Sequence, residues 1–205
     1  MGNIPFNISI LNSIFPENSA IAAKAKRLEE AGDVVRLKKG LYVTSPDISE
    51  KPLNEFLIAN HLYGPSYVSM QSALRYYGLI PERVYVVSSM TTGLHKEFTN
   101  KIASFSYVHC DREYYSIGLE IKKENGFQFI LASPEKALCD MMVYTPHLNL
   151  RYQSEIYSYL EEDLRFDLDA LKNFNVEILR KCEEKGKKKK MISQLIKFVE
   201  NGKYL

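Results

Sequence analysis

The sequence predicts a mixed α+β protein. Three observations predict this class: two short helical patterns precede a hairpin pattern, strand and helix patterns mix beyond residue 52, and residues 148–205 repeat apolar side chains at helical spacing. The segment SPDISEKP, residues 45–52, is polar and holds two prolines, so we expect it to be a linker. The expected units are therefore 1–48 and 52–205, the second ending in a helical tail.

Composition sets wide limits on function. The chain has 205 residues, 45% hydrophobic and 25% charged, which suits one large domain or two small ones. Its 27 basic and 25 acidic residues leave a formal charge of +2, so whole-chain charge gives no argument for nucleic acid. The sequence shows neither a long apolar run nor a signal-peptide pattern, and its three cysteines lack zinc-site spacing. We expect a cytoplasmic protein with reduced thiols, no membrane partner and no cofactor.

Two helices open the chain. The run NISILNSIF, residues 7–15, places apolar residues at helical spacing, and Pro16 ends it. A second helix is expected from about Glu17 to Ala31, with Ile21, Ala25 and Leu28 on one stripe and a stop at Gly32.

A hairpin follows these helices. VVRL and LYVT alternate like strands around a KKG turn, with Lys38, Lys39 and Gly40 at its tip. Two helices followed by a basic-tipped hairpin is the order of a winged helix-turn-helix, whose second helix enters the major groove of DNA. We therefore expect residues 1–48 to be such a domain.

The candidate DNA-binding residues lie on the second helix and the hairpin. Arg27 and Ser19 are the expected readers of base edges, and the lysines are expected to hold phosphates. The full set is Ser19, Lys26, Arg27, Arg36, Lys38 and Lys39.

The same features have a structural interpretation. A helix with outward Lys and Arg is often only a solvated face. Residues 1–51 hold seven basic and six acidic residues, and only about six residues precede the first helix pattern. An alternative is therefore a partner-binding protein whose N-terminal domain no longer binds DNA.

The second region mixes helices and strands. We expect a helix on Leu53–Leu62, a helix from Met70 with Ser69 as N-cap, and a helix opened by Ser133-Pro134. The expected strands are RVYVVSS, ASFSYVHC and GFQFILA, with the polar segment TTGLHKEFTN between the first two. In the tail, MISQLIKFVENG places Met191, Ile192, Leu195, Ile196 and Val199 on one helix face.

Several separated motifs resemble one family. GPSYVSMQSALRYYGLIPE at 64–82, VSSMTTG at 87–93, ASPEKALCD at 132–140 and VVRLKKGLYV at 34–43 together resemble the AbiEi family. This family supplies antitoxins and transcriptional regulators of type IV toxin-antitoxin systems, which are associated with abortive infection and phage defence. The resemblance implies a winged helix that binds inverted repeats of its own operator. It also implies a C-terminal antitoxin domain that counteracts a nucleotidyltransferase-type toxin, directly or indirectly.

The chain's one strongly basic block lies near its end. Residues 180–205 hold nine Lys or Arg against three Glu, and Lys187, Lys188, Lys189 and Lys190 are consecutive. Because each neutralised phosphate adds affinity for a polyanion, we expect this auxiliary patch to assist DNA binding. A solvated helix junction is the competing interpretation.

We expect no catalytic chemistry. Asp111 with Glu120-Ile121-Lys122 resembles the carboxylates and lysine of magnesium-dependent nucleases, but alternating charges on an exposed strand explain the tripeptide equally simply. His109 and Cys110 are strand neighbours, so their side chains point to opposite faces and do not pair. No metal site and no phosphate-binding glycine motif is expected.

Overall fold

A computed structural model describes residues 3–16 and 20–202, and it shows a mixed α+β protein. The helices of this part are α1 (Ile8–Ile14), α2 (Ile21–Ala31), α3 (Pro46–Ser49), α4 (Glu55–Leu62), α5 (Met70–Tyr76), α6 (Arg112–Tyr115), α7 (Pro134–Tyr144), α8 (Gln153–Ser158), α9 (Val176–Lys185) and α10 (Lys189–Asn201). Its strands are β1 (Phe6–Asn7), β2 (Val34–Lys38), β3 (Leu41–Thr44), β4 (Ser66–Val68), β5 (Val86–Thr91), β6 (Lys96–Thr99), β7 (Ser104–His109), β8 (Leu119–Glu124) and β9 (Phe127–Ala132). A π-helical turn (Tyr159–Asp163) and a 3₁₀ segment (Leu168–Asn173) join α8 to α9.

The strands form two sheets. A small antiparallel sheet has the order β1-β3-β2, and the predicted hairpin forms its β2–β3 pair. The larger sheet is mixed, with the order β6-β7-β5-β4-β9-β8 and parallel pairs β5–β7 and β4–β9. Strand residues alternate between the two faces of a sheet, and Tyr67 and Tyr107 lie on opposite faces of the larger one. Their contacts show which helix covers each face. Tyr67 of β4 donates to Asp140 of α7, whereas Tyr107 of β7 donates to the Ala59 carbonyl of α4.

Two hydrophobic clusters lie under these layers. The smaller one joins α1, α2 and the small sheet through Phe6, Leu11, Ala25, Val34 and Tyr42. The larger one fills the second region, and it also takes in Leu37 and Val43 from the hairpin. The hairpin therefore shares the hydrophobic core of the second region. The expected division at residues 48 and 52 stays a prediction.

The expected linker, segment 45–52, contains regular structure. Pro46–Ser49 forms one helical turn, and Ser45 is buried before it. The buried amide of Asn3 donates to the carbonyls of Lys51 and Pro52, at 2.5 and 2.9 Å. These bonds hold the segment against the start of the described chain.

Several predicted elements are confirmed. α2 ends where Gly32 adopts a left-handed conformation (φ 82°), which glycine reaches at no steric cost. Ser133 caps α7 by accepting a hydrogen bond from the Lys136 amide. In α10 every residue of the predicted apolar face is buried, and Phe198 joins it.

The predicted start of α5 at Met70 is confirmed, and the polar segment before β7 contains a strand that the sequence does not predict. Ser69 holds the N-cap position of α5, but its hydroxyl makes no cap bond and donates to Asp140 Oδ2 at 2.6 Å. The segment TTGLHKEFTN contains β6, an edge strand that pairs with β7. Its alternation is hidden in the sequence because Lys96, Glu97 and Thr99 are exposed and only Phe98 packs inward.

A buried ion pair lies between α7 and the larger sheet. Lys136 Nζ lies 2.9 Å from Asp140 Oδ1, and both side chains are fully buried. The ammonium also donates to the Tyr114 carbonyl at 3.1 Å and lies over the Tyr114 ring. The other carboxylate oxygen of Asp140 accepts from the Tyr67 and Ser69 hydroxyls. The ion pair and these hydrogen bonds thus compensate both buried charges.

All three cysteines are free and buried. Burial raises the pKa of the Cys110 thiol to about 12, and the Cys182 thiol together with burial raises the pKa of Cys139. Because the thiolate is the reactive form, we expect Ellman's reagent to leave the native protein unmodified at pH 8. In guanidinium the same assay should count all three thiols. Rapid release of the coloured product from the native protein would contradict this burial.

Candidate nucleic-acid interface

The candidate site is a groove between α2, the β2–β3 hairpin and the β6–β7 turn. Its volume is about 690 Å³, and its apolar lining comes from Ile8, Ala22 and Tyr42. Four cationic side chains also line it, namely Lys26, Arg36, Lys39 and Lys101. We call this surface the basic groove.

The packing of α2 determines which side chains reach the basic groove. Ala25 is buried in the smaller cluster, with Ile21 and Leu28 packed beside it. At about 100° per residue, Lys26 and Arg27 lie on opposite flanks of this buried stripe, and the flank of Lys26 lines the basic groove. Both side chains are exposed. Lys26 is 3.5 Å from Glu30, an exposed i,i+4 pair that leaves the ammonium accessible.

The hairpin supplies two more cations. Arg36 is exposed in the middle of β2, opposite Tyr42 of β3. Lys39 is exposed in the turn, followed by Gly40 at φ 79°. A bulge between Arg36 and Lys38 shifts the register of β2 against β3.

Lys38 is directed elsewhere. Its ammonium donates to the Leu62 carbonyl at 2.6 Å and lies 5.9 Å from the Phe98 ring centroid. Burial and the nearby Lys96 lower the pKa of Lys38. Its head group therefore fastens the hairpin to α4 and is not a lining residue of the basic groove.

Sequence reasoning missed Lys101. Asn100 positions it, because the Asn100 amide donates to the Leu37 carbonyl of β2 while its oxygen accepts from the Ile102 and Ala103 amides. The turn between β6 and β7 is thus tied to the hairpin, and Lys101 is exposed beside Lys39 in the basic groove. No pattern in the sequence relates residues 39 and 101.

The structure thus places three of the six predicted residues together. Lys26, Arg36 and Lys39 line one groove, Arg27 is exposed outside its lining, and Lys38 binds a backbone carbonyl. Ser19 lies in residues 17–19, outside the described part of the chain. Glu29 and Glu30 also line the groove, so four cations face two carboxylates. The basic groove therefore has a net positive charge and can bind an anion, although the whole chain is nearly neutral.

The predicted auxiliary patch divides into separate roles. Lys188 donates to the Met142 and Thr145 carbonyls at the end of α7, and Lys189 donates to the Glu184 carbonyl at the end of α9. Lys187 lies 3.9 Å from Asp111. Only Lys190 has none of these contacts, so the four lysines do not form one free surface.

Asp111 and Glu120, the two carboxylates of the nuclease-like pattern, contact different partners. Glu120 pairs with Lys122 at 2.5 Å and accepts from the Tyr77 hydroxyl, whereas Asp111 faces His109 and Lys187. Within residues 3–16 and 20–202, no three His, Cys, Asp or Glu side chains are grouped to hold a metal ion. His109 is exposed and Cys110 is buried, as strand alternation predicts.

Comparisons with known proteins add no relative. No model of a known protein family matches the chain, and no curated protein matches it significantly. The resemblance to the AbiEi family therefore rests on the four quoted motifs. None of the helices in the described ranges combines the length and the apolar character needed to cross a bilayer.

Proposed function

We propose that this protein is a cytoplasmic antitoxin of the type IV class that also represses its own operon by binding double-stranded operator DNA. The basic groove carries the DNA-binding part of the proposal. It combines exposed cations from a helix and a hairpin with an apolar lining. Lysine and arginine placed in this way contact phosphates on both sides of a helix inserted into the major groove.

The topology of the first 44 residues supports a winged helix-turn-helix. α1 and α2 are consecutive, β2 and β3 form the wing, and β1 pairs with β3 so that the hairpin becomes a sheet. Lys24 lies 4.7 Å from the Phe15 ring centroid, which joins α2 to the end of α1. In this arrangement α2 is the recognition helix, and Arg27 is an exposed basic residue on the flank opposite Lys26.

The antitoxin part of the proposal rests on the family resemblance. It assigns the protein a nucleotidyltransferase-type toxin as partner and no catalytic role of its own. Co-expression with the product of the adjacent gene tests this part, since an antitoxin restores growth that the toxin stops. Growth arrest that persists despite the folded protein would contradict it.

The DNA-binding part is tested by a gel shift of the purified protein on its own upstream DNA. A scrambled duplex of equal length is the control, and both are measured at two salt concentrations. We expect selective retention of the upstream DNA, weakening as salt rises because counterions are released on binding. Equal or absent retention of the two duplexes would overturn the repressor.

One observation favours a second candidate. Two of the six charged side chains in the basic groove are carboxylates, and Lys26 already pairs with Glu30. A mixed-charge surface over an apolar floor also suits a protein partner. Under this alternative the protein is a partner-binding antitoxin without operator affinity, and it would copurify with the toxin while retaining no DNA.

A further inference from the structure

A second cationic concavity lies between the loop before α8 and the polar face of α10. Its volume is about 720 Å³, and it shares no lining residue with the basic groove. Four cations line it, Arg151, Lys189, Lys190 and Lys197, against the single carboxylate of Glu183. Ser193 and Gln194 add neutral hydrogen-bonding groups. We call it the α10 pocket.

The elements that carry these cations are held in place by the fold. The apolar face of α10 is buried in the main core, which fixes Lys190, Ser193 and Lys197 on the opposite side. Asn201 donates to Gln153 and so ties the end of α10 to α8. Glu155 accepts from the backbone amides of Arg151 and Tyr152, which fixes the loop that carries Arg151. These contacts fix the backbone around the α10 pocket, and the four cationic side chains are exposed on it.

Its charges are poorly compensated inside the protein. The ion pairs of the described chain involve neighbouring cations such as Arg180, Lys185 and Lys187, but none involves Arg151, Lys190 or Lys197. Lys189 donates to a carbonyl instead of a carboxylate. In addition, α10 begins with consecutive lysines and has no acidic residue in its first turn. Cations at that end oppose the helix dipole, so this arrangement reduces stability until an anion is bound.

We propose that the α10 pocket binds a ligand with linked phosphate groups, such as the di- or triphosphate chain of a nucleotide. Four cations exceed what a single carboxylate can neutralise, and arginine holds phosphate oxygens through two parallel hydrogen bonds. A volume of this size fits a nucleotide-sized ligand. The lining includes no aromatic ring on which a base could stack, so the phosphates provide the recognition.

This inference does not depend on operator binding, because different residues form the two surfaces. The same phosphate chemistry is present in the backbone of a nucleic acid. The experiment therefore compares inorganic triphosphate with a single-stranded oligonucleotide that lacks terminal phosphates.

Calorimetric titration of the full chain with sodium triphosphate, at constant ionic strength, tests the proposal. We expect saturable binding that also raises the melting temperature, since a ligand of the native state stabilises it. The double variant Arg151→Gln/Lys197→Gln should weaken binding by about tenfold or more for each charge-assisted contact removed.

The matched control removes two exposed cations outside the α10 pocket, Lys123→Gln/Lys181→Gln. It should retain the parent affinity, which separates a built site from general positive charge. If only the oligonucleotide binds, with the same dependence on Arg151 and Lys197, the site is a phosphate site for nucleic acid. Absent binding of both probes, or equal losses in both double variants, would overturn the proposal.

Discussion

Replacing Lys136 with Met is expected to lower the free energy of unfolding by about 3–5 kcal/mol, the usual result of removing one partner of a buried ion pair. The lost ammonium leaves Asp140 charged and fully buried, with only the Tyr67 and Ser69 hydroxyls as donors. The Tyr114 carbonyl also loses its lysine donor. Since a domain of this size is stable by about 5–15 kcal/mol, the variant should unfold at much lower denaturant. Urea denaturation followed by circular dichroism measures the change.

A double variant keeps this prediction falsifiable if the single variant does not fold. Lys136→Met/Asp140→Leu removes both charges, so it should be more stable than Lys136→Met alone. The matched control is Lys26→Met, which breaks an exposed i,i+4 pair with 77% and 62% exposed side chains. Its expected effect is under about 1 kcal/mol. Similar losses in the buried and exposed variants would show that Lys136 does not neutralise Asp140.

This ion pair also shows where sequence reasoning stopped. ASPEKALCD correctly predicts the cap and the inward packing of Ala137 and Leu138, because those follow from local chemistry and helical spacing. A lysine and an aspartate four residues apart are equally typical of an exposed helix face. Only the tertiary fold, which covers α7 with the sheet and with Tyr114, decides that both are buried.

The same limit applies to the candidate site. Lys26, Arg36 and Lys39 are recognisable because they lie on a helix and a hairpin that are close in sequence. Lys101 joins them through the Asn100 bond to Leu37, a contact across 63 residues that no local pattern contains. Lys38 and Lys39 are adjacent lysines with the same local sequence pattern. The register of β2 shifts at Lys38, and its ammonium donates to the Leu62 carbonyl, so it does not line the basic groove.

Neutralising the basic groove should reduce the salt dependence of DNA binding. In the triple variant Arg36→Gln/Lys39→Gln/Lys101→Gln, three phosphate contacts are lost, and each contributes about 0.9 to the slope of log affinity against log salt. The slope should therefore become less steep by roughly 2 to 3. Because phosphates carry no sequence information, affinity for upstream and scrambled DNA should fall together. Fluorescence anisotropy over a series of salt concentrations provides both quantities.

Arg27→Ala should behave differently. Arg27 is exposed on α2 and is the proposed reader of base edges, so its loss should reduce the difference in binding free energy between upstream and scrambled DNA by about 1–3 kcal/mol. The salt slope should change by no more than about one. Arg112→Gln/Lys123→Gln/Lys181→Gln removes the same number of exposed cations outside the basic groove and should leave both quantities close to the parent values. If this control flattens the slope as much as the groove variant does, DNA contacts the protein through diffuse charge and not through α2 and the hairpin.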